Sequence, residues 1–163
     1  MEASKDVTAG DPAPSFSLPG VHDGERRTYT LEEFAGQPLI LVFYPGDNTP
    51  VCTIQLNTYT NDMSQFLALG AQILAVSPEG LDSHEGFATS QGGFAFPLLA
   101  DEELTLAADY GVLGPMGYYR RSVFVVDGDG LLAYVHRGFA GATFRRTTEL
   151  VEAVAHAVEA TAG

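Results

Sequence analysis

Two spacings of apolar residues alternate along the chain. Leu39-Ile-Leu-Val-Phe-Tyr44 is a continuous apolar run of β-formers, which predicts a strand buried on both faces. Ala71 to Ser77 predicts a second strand. Ser122 to Asp127, a Gly-Asp-Gly turn and Leu131 to His136 predict a hairpin. Near the start, Phe16 to Pro19 and Arg27 to Thr30 flank the polar turn Val21 to Glu25, a second hairpin. Between the strands the spacing changes to three or four. Cys52, Leu56, Tyr59, Met63, Phe66 and Leu67 predict one helix, ended by Gly70. Leu81 to Ser90, Glu102 to Tyr110 (closed by Gly111) and Thr148 to Ala160 predict three more. Leu31 to Phe34 reads as a single helical turn, and Phe96 to Leu99 as a short extended piece.

That order predicts an α/β fold: a mixed central β-sheet, helices on both faces and an N-terminal β-hairpin. The strands at 39–44 and 71–77, with the helix between them, are expected to form a right-handed crossover. The length suits a single domain over residues 1–163, with a core at about 7–160.

Composition adds limits. Apolar residues make up 45% of the chain and charged residues 18%, enough to bury a core. The net charge of −13 disfavours nucleic acid and anionic lipid as partners. It suits a small neutral substrate, or a partner with basic patches. Met1 to Asp6 has two acids and no apolar stretch behind it, unlike a secretory leader. The longest apolar run is too short to span a bilayer, so a cytoplasmic location is expected. His22, His84, His136 and His156 show no metal-ligand spacing, and no cofactor is expected.

Cys52 is the chain's only cysteine, so no intrachain disulfide can form. Thr49 suits an N-cap and Pro50 a first helical position. Cys52 then lies in a first turn, where unpaired N–H groups and the helix dipole favour a thiolate. The competing reading is an inert core cysteine, since Cys52 shares a stripe with Leu56 and Tyr59. Acidity alone would not make a fast catalyst. A thiol with a pKa of about 8.5 is ~3% ionised at pH 7, and lowering the pKa to about 6 gives ~90%. The weaker nucleophile gives back roughly 10-fold over that range. A fast thiol enzyme also needs a group to orient the target bond and a cation for the departing oxyanion.

The stretch Phe43-Tyr44-Pro45, followed by Thr49-Pro-Val-Cys-Thr53, resembles the peroxiredoxin active-site motif. Its Thr49-Pro-Val-Cys-Thr53 portion is similar to the bacterioferritin-comigratory-protein (PrxQ) branch. Asp11-Pro-Ala-Pro-x-Phe16, Phe96 to Asp101 and Arg121-Ser-Val-Phe-Val-Val-Asp127 extend the likeness over about residues 7–160. The resemblance implies a thioredoxin-like fold and a thiol-dependent peroxidase acting on hydrogen peroxide or organic hydroperoxides. By position, Cys52 resembles the peroxidatic cysteine, Thr49 the hydroxyl that bonds the peroxide, and Pro45 the shield of the thiolate. Arg121 resembles the cation that supports the developing charge. Val51 and Tyr44 are expected at the substrate pocket. Each residue also has a plainer reading: Thr49 as a helix cap, Pro45 as a strand stop, Arg121 as a surface charge beside Arg120.

The pattern departs from the family at two positions. Asn57 stands where PrxQ-like members often carry a resolving cysteine, and Gln55 where the family usually has Glu. A one-cysteine mechanism is therefore expected. An external thiol, a small molecule or a thioredoxin- or glutaredoxin-like protein, would reduce the sulfenic acid. The expected assembly is a monomer or small homodimer. The alternative is a redox sensor or thioredoxin-like interaction module in which Cys52 oxidation modulates partner binding.

Overall fold

The computed structural model describes residues 6–138 and 143–162. The first hairpin is β1 (Ser17–His22) and β2 (Glu25–Thr30). They are joined at Asp23 and Gly24, both with positive φ (52° and 78°), as the tightest hairpin turns require. A single 3-10 turn, Glu32–Phe34, leads to β3 (Leu39–Phe43). Next come α1 (Pro50–Asn61), α2 (Met63–Leu67), β4 (Gln72–Ser77) and α3 (Leu81–Ser90). The chain continues through β5 (Leu98–Ala100), α4 (Thr105–Asp109), β6 (Ser122–Val126) and β7 (Leu132–Arg137) to α5 (Thr147–Ala162).

All seven strands among the described residues join one mixed sheet in the order β2-β1-β5-β4-β3-β6-β7. β3 lies inside it, parallel to β4 and antiparallel to β6. Its five residues are all buried, which explains the unbroken apolar run. Period-two alternation sorts them between two cores. Ile40 and Val42 face a layer built from α1, α2, α3 and α5, which includes Cys52, Leu56, Tyr59, Phe87 and Leu150. Leu39, Leu41 and Phe43 face the other side, with Leu106, Tyr110 and Tyr119 from α4 and the segment after it. Helices therefore cover both faces, as the element order implied.

Two elements differ from the sequence expectation. The helix expected to run through to Leu67 breaks at Asp62 (φ −96°, ψ 8°). Asn61 and Asp62 are poor helix formers, and the Asp62 carboxylate accepts a hydrogen bond from the Thr147 hydroxyl at 2.6 Å. Met63 and Phe66 past the break still join the core with Cys52, Leu56 and Tyr59, and Leu67 alone of the stripe is exposed. The helix expected from Glu102 begins only at Thr105, because Leu104 is left-handed (φ 63°). The Asp101 carboxylate accepts from the N–H groups of Leu106 and Ala107, at 3.1 and 3.0 Å, and so caps the shorter helix.

Candidate active site

The site forms where β3 ends. The Tyr44 N–H still bonds the Val76 carbonyl of β4 at 3.0 Å. The chain then turns through Pro45–Thr49 and enters α1. Asn48 is left-handed (φ 61°), which makes the turn sharp. Thr49 is extended (φ −92°, ψ 150°) and is the N-cap, with Pro50 at the first helical position. The Thr49 hydroxyl does not make the capping bond expected of it. It donates to the Gly46 carbonyl at 3.2 Å, which ties the loop to itself.

The first helical hydrogen bond runs from Thr53 N to Thr49 O at 2.9 Å. The N–H groups of Val51 and Cys52 precede that ladder, as at any helix start. Cys52 lies in this first turn and is 1% exposed. Pro45 and Val51 are half-buried, and Thr49 is exposed.

The cation comes from the start of the strand next to β3, where Ser122 pairs with Phe43. Arg121 immediately precedes β6 and is 4% exposed. Its Nη2 donates to Cys52 Sγ at 3.2 Å, and its Nη1 donates to Gln55 Oε1. Gln55 lies one helical turn beyond Cys52, so both side chains meet the same guanidinium fork. Arg120 differs: its Nε donates to the Gly138 carbonyl at 3.0 Å. Gln55 is fully buried, and its Nε2 makes no hydrogen bond of good geometry among the described residues. Nearby, the Tyr59 hydroxyl donates to the Arg145 carbonyl at 2.6 Å, and burial pushes its pKa up to about 12.

Tyr44 is fully buried, with its hydroxyl donating to Asp47 Oδ1 at 2.7 Å. Burial and the Asp47 charge push its pKa well up, and Cys52 adds to the shift, which places phenol and thiol in one electrostatic neighbourhood. The structure thus gathers Tyr44, Pro45, Thr49, Val51, Cys52 and Arg121 around one loop and one helix start. Sequence reasoning missed Asp47 of that loop, and Ser83 and His84, which bond to it. The hint was present in a carboxylate set within a tight Pro/Gly/Asn turn.

The sequence matches the AhpC/TSA family over residues 9–135. The chain belongs to this family. Over 140 residues it is 34% identical to peroxiredoxin-2 of Macaca fascicularis, covering 82% of this chain and 71% of the relative. It is 32% identical over 137 residues to a putative peroxiredoxin of Mycobacterium tuberculosis, covering 80% and 85%. A selenocysteine-containing peroxiredoxin of Peptoclostridium acidaminophilum is 32% identical over 133 residues, covering 77% of this chain and 66% of the relative. Among solved structures, Enterococcus faecalis AhpC superposes with a TM-score of 0.87 at 25% identity, over 94% of both chains. Mycobacterium bovis AhpC gives 0.84 at 25%, over 93% and 92%. The fold is the thioredoxin-like fold of the peroxiredoxins, and membership of the AhpC/TSA family makes the chain a thiol-dependent peroxidase. No described helix is long and apolar enough to cross a membrane.

Proposed function

We propose that this AhpC/TSA-family enzyme reduces hydrogen peroxide or organic hydroperoxides at Cys52 by a one-cysteine cycle. The Cys52 thiolate attacks one peroxide oxygen, and the O–O bond breaks. The attacked oxygen stays on sulfur as a sulfenic acid. The other leaves with its bond pair, takes a proton and departs as water or an alcohol. An external thiol then attacks the sulfenic sulfur, releasing water and forming a mixed disulfide. A second thiol frees Cys52 and leaves as the external disulfide. A small-molecule thiol or a thioredoxin- or glutaredoxin-like protein fills this role, acting on a monomer or small homodimer.

One contact carries the proposal: the Arg121 guanidinium 3.2 Å from the sulfur of the sequence's only cysteine. A fixed cation there supports the thiolate and the charge that develops on the leaving oxygen. The other roles follow from position. With its hydrogen on Gly46 O, Thr49 Oγ1 has lone pairs left to accept a hydrogen bond from the hydroperoxide. The Val51 and Cys52 N–H groups donate to the peroxide oxygens. Pro45 and Tyr44 keep water from the sulfur. Stopped-flow measurement of peroxide consumption tests the scheme. Arg121→Ala is expected to slow it by about 10²-fold or more. A wild-type rate near that of a free thiol, unchanged in Arg121→Ala, would sink it.

The 1% exposure of Cys52 favours a second reading, a redox sensor. A sulfur so enclosed is hard for an external thiol to reach, so oxidation would outlast the encounter and alter partner binding. Steady turnover with a thiol reductant decides for the peroxidase.

A further inference from the structure

The loop that carries Pro45 and Thr49 has little backbone bonding of its own, yet one of its side chains is held from three directions. Asp47 turns inward, its side chain 1% exposed, while neighbouring Asn48 and Thr49 face solvent. Its Oδ1 accepts from the Tyr44 hydroxyl at 2.7 Å. Its Oδ2 accepts from the Ser83 hydroxyl at 2.7 Å and lies 2.7 Å from His84 Nδ1. His84, fully buried in the first turn of α3, places its Nε2 2.9 Å from the Leu99 carbonyl of β5.

Proton bookkeeping fixes this chain of contacts. A carbonyl only accepts, so His84 Nε2 carries a hydrogen. One further proton lies between Nδ1 and Oδ2. Whichever atom holds it, the pair is neutral overall and makes the same contacts. The linkage therefore runs from β5 through α3 to the loop and back to the end of β3.

Stability is a weak reason to bury such a pair, because apolar residues of similar volume usually stabilise as well or better. Fixing one geometry is a better-attested use. We propose that Asp47, held by His84, Ser83 and Tyr44, is a positioning residue for the Cys52 reaction: it sets the loop whose Gly46 carbonyl fixes the Thr49 hydroxyl. This rests on the peroxidase reading. Asp47 acts only through the loop. The Arg121–Cys52 contact comes from β6 and does not depend on it.

Those separate supports give the test. The wild-type rate constant with hydrogen peroxide is measured first, alongside the ultraviolet absorbance of the thiolate at neutral pH. Asp47→Ala is expected to lose at least about tenfold in rate with its thiolate absorbance unchanged. Asp47→Asn keeps the shape. Its amide oxygen accepts from Tyr44, and its N–H groups point to Ser83 Oγ and His84 Nδ1, so most of the loss is recovered. Where Asp47→Ala fails to fold, Ser83→Ala decides, with an expected two- to fivefold loss. Three results overturn the proposal: Asp47→Ala, or Ser83→Ala in its place, reacting at the wild-type rate; a fall in thiolate absorbance in step with the rate; or Asp47→Asn as slow as Asp47→Ala. A wild-type protein inert to peroxide overturns the peroxidase reading instead, and this proposal with it.

Discussion

At the scale of single residues, Gln55 shares the guanidinium that reaches the sulfur. It meets the same guanidinium as Cys52, but as a neutral amide it holds Arg121 without neutralising it. A carboxylate in its place would pair with Arg121 and bring a like charge near the sulfur, which disfavours a thiolate. In Gln55→Glu the thiolate absorbance should therefore need a higher pH to appear than in the parent. The peroxide rate at pH 7 should fall a few-fold, and the gap should close as pH rises and both proteins ionise fully. Parallel absorbance titrations of the two proteins check this. An unchanged titration would mean that position 55 does not act on the sulfur through Arg121. Sequence pattern singled out Gln55 as a departure from the family but gave no sign of its direct bond to the guanidinium. That bond joins residues 66 positions apart.

At the scale of elements, a polar tie among the described residues fastens α5 to the sheet. The Tyr134 hydroxyl of β7 donates to Glu149 Oε2 at 2.6 Å, and Arg145 lies 3.4 Å away on the same carboxylate. The Tyr134 hydrogen bond, helped by Arg145, holds the Glu149 carboxyl below its usual range. A carboxylate with a lowered folded pKa adds stability above its unfolded value, about 4.3, and loses it as pH falls through the lowered one. Tyr134→Phe should thus cost about 0.5–1 kcal/mol near pH 7, a modest figure because Glu149 is partly exposed. The difference from wild type should vanish in acid. Denaturant melts at pH 7 and pH 3 measure both ends, and an equal deficit at the two would exclude this tie as its source. The tie was not legible in the sequence, since it depends on how β7 and α5 meet. Their existence was legible, because strands such as β3 and β6 bury continuous β-formers and α5 repeats every three or four residues. The break at Asp62 and the late start of α4 escaped that reading. A hydroxyl on α5 and a carboxylate before α4 decide them, and neither leaves a periodic trace.

At the scale of the whole molecule, two charge distributions oppose each other. The chain carries −13 overall, yet Arg120, Arg121 and Arg145 bring three of its eight Lys and Arg residues near one site. Their fields overlap: Tyr59 feels both Arg121 and Arg145, and His136 feels both Arg145 and Arg120. The acids spread over a body with a radius of gyration of about 15 Å, whereas Arg121 touches the sulfur. Salt separates the two ranges. At 0.01 M the Debye length is about 30 Å, so the distant acids act on the site and repel an anionic hydroperoxide. At 0.1 M it is about 10 Å, and only the nearby arginines remain to attract one. At 1 M it is about 3 Å, and both fade. The rate with a carboxylate-bearing hydroperoxide, divided by that with neutral hydrogen peroxide, should rise from 0.01 to about 0.1 M salt and fall again towards 1 M. Stopped-flow measurements across that series read the ratio directly. A steady rise would mean that net charge governs the site at every range, a steady fall that the arginines do, and either would contradict the division of labour drawn here.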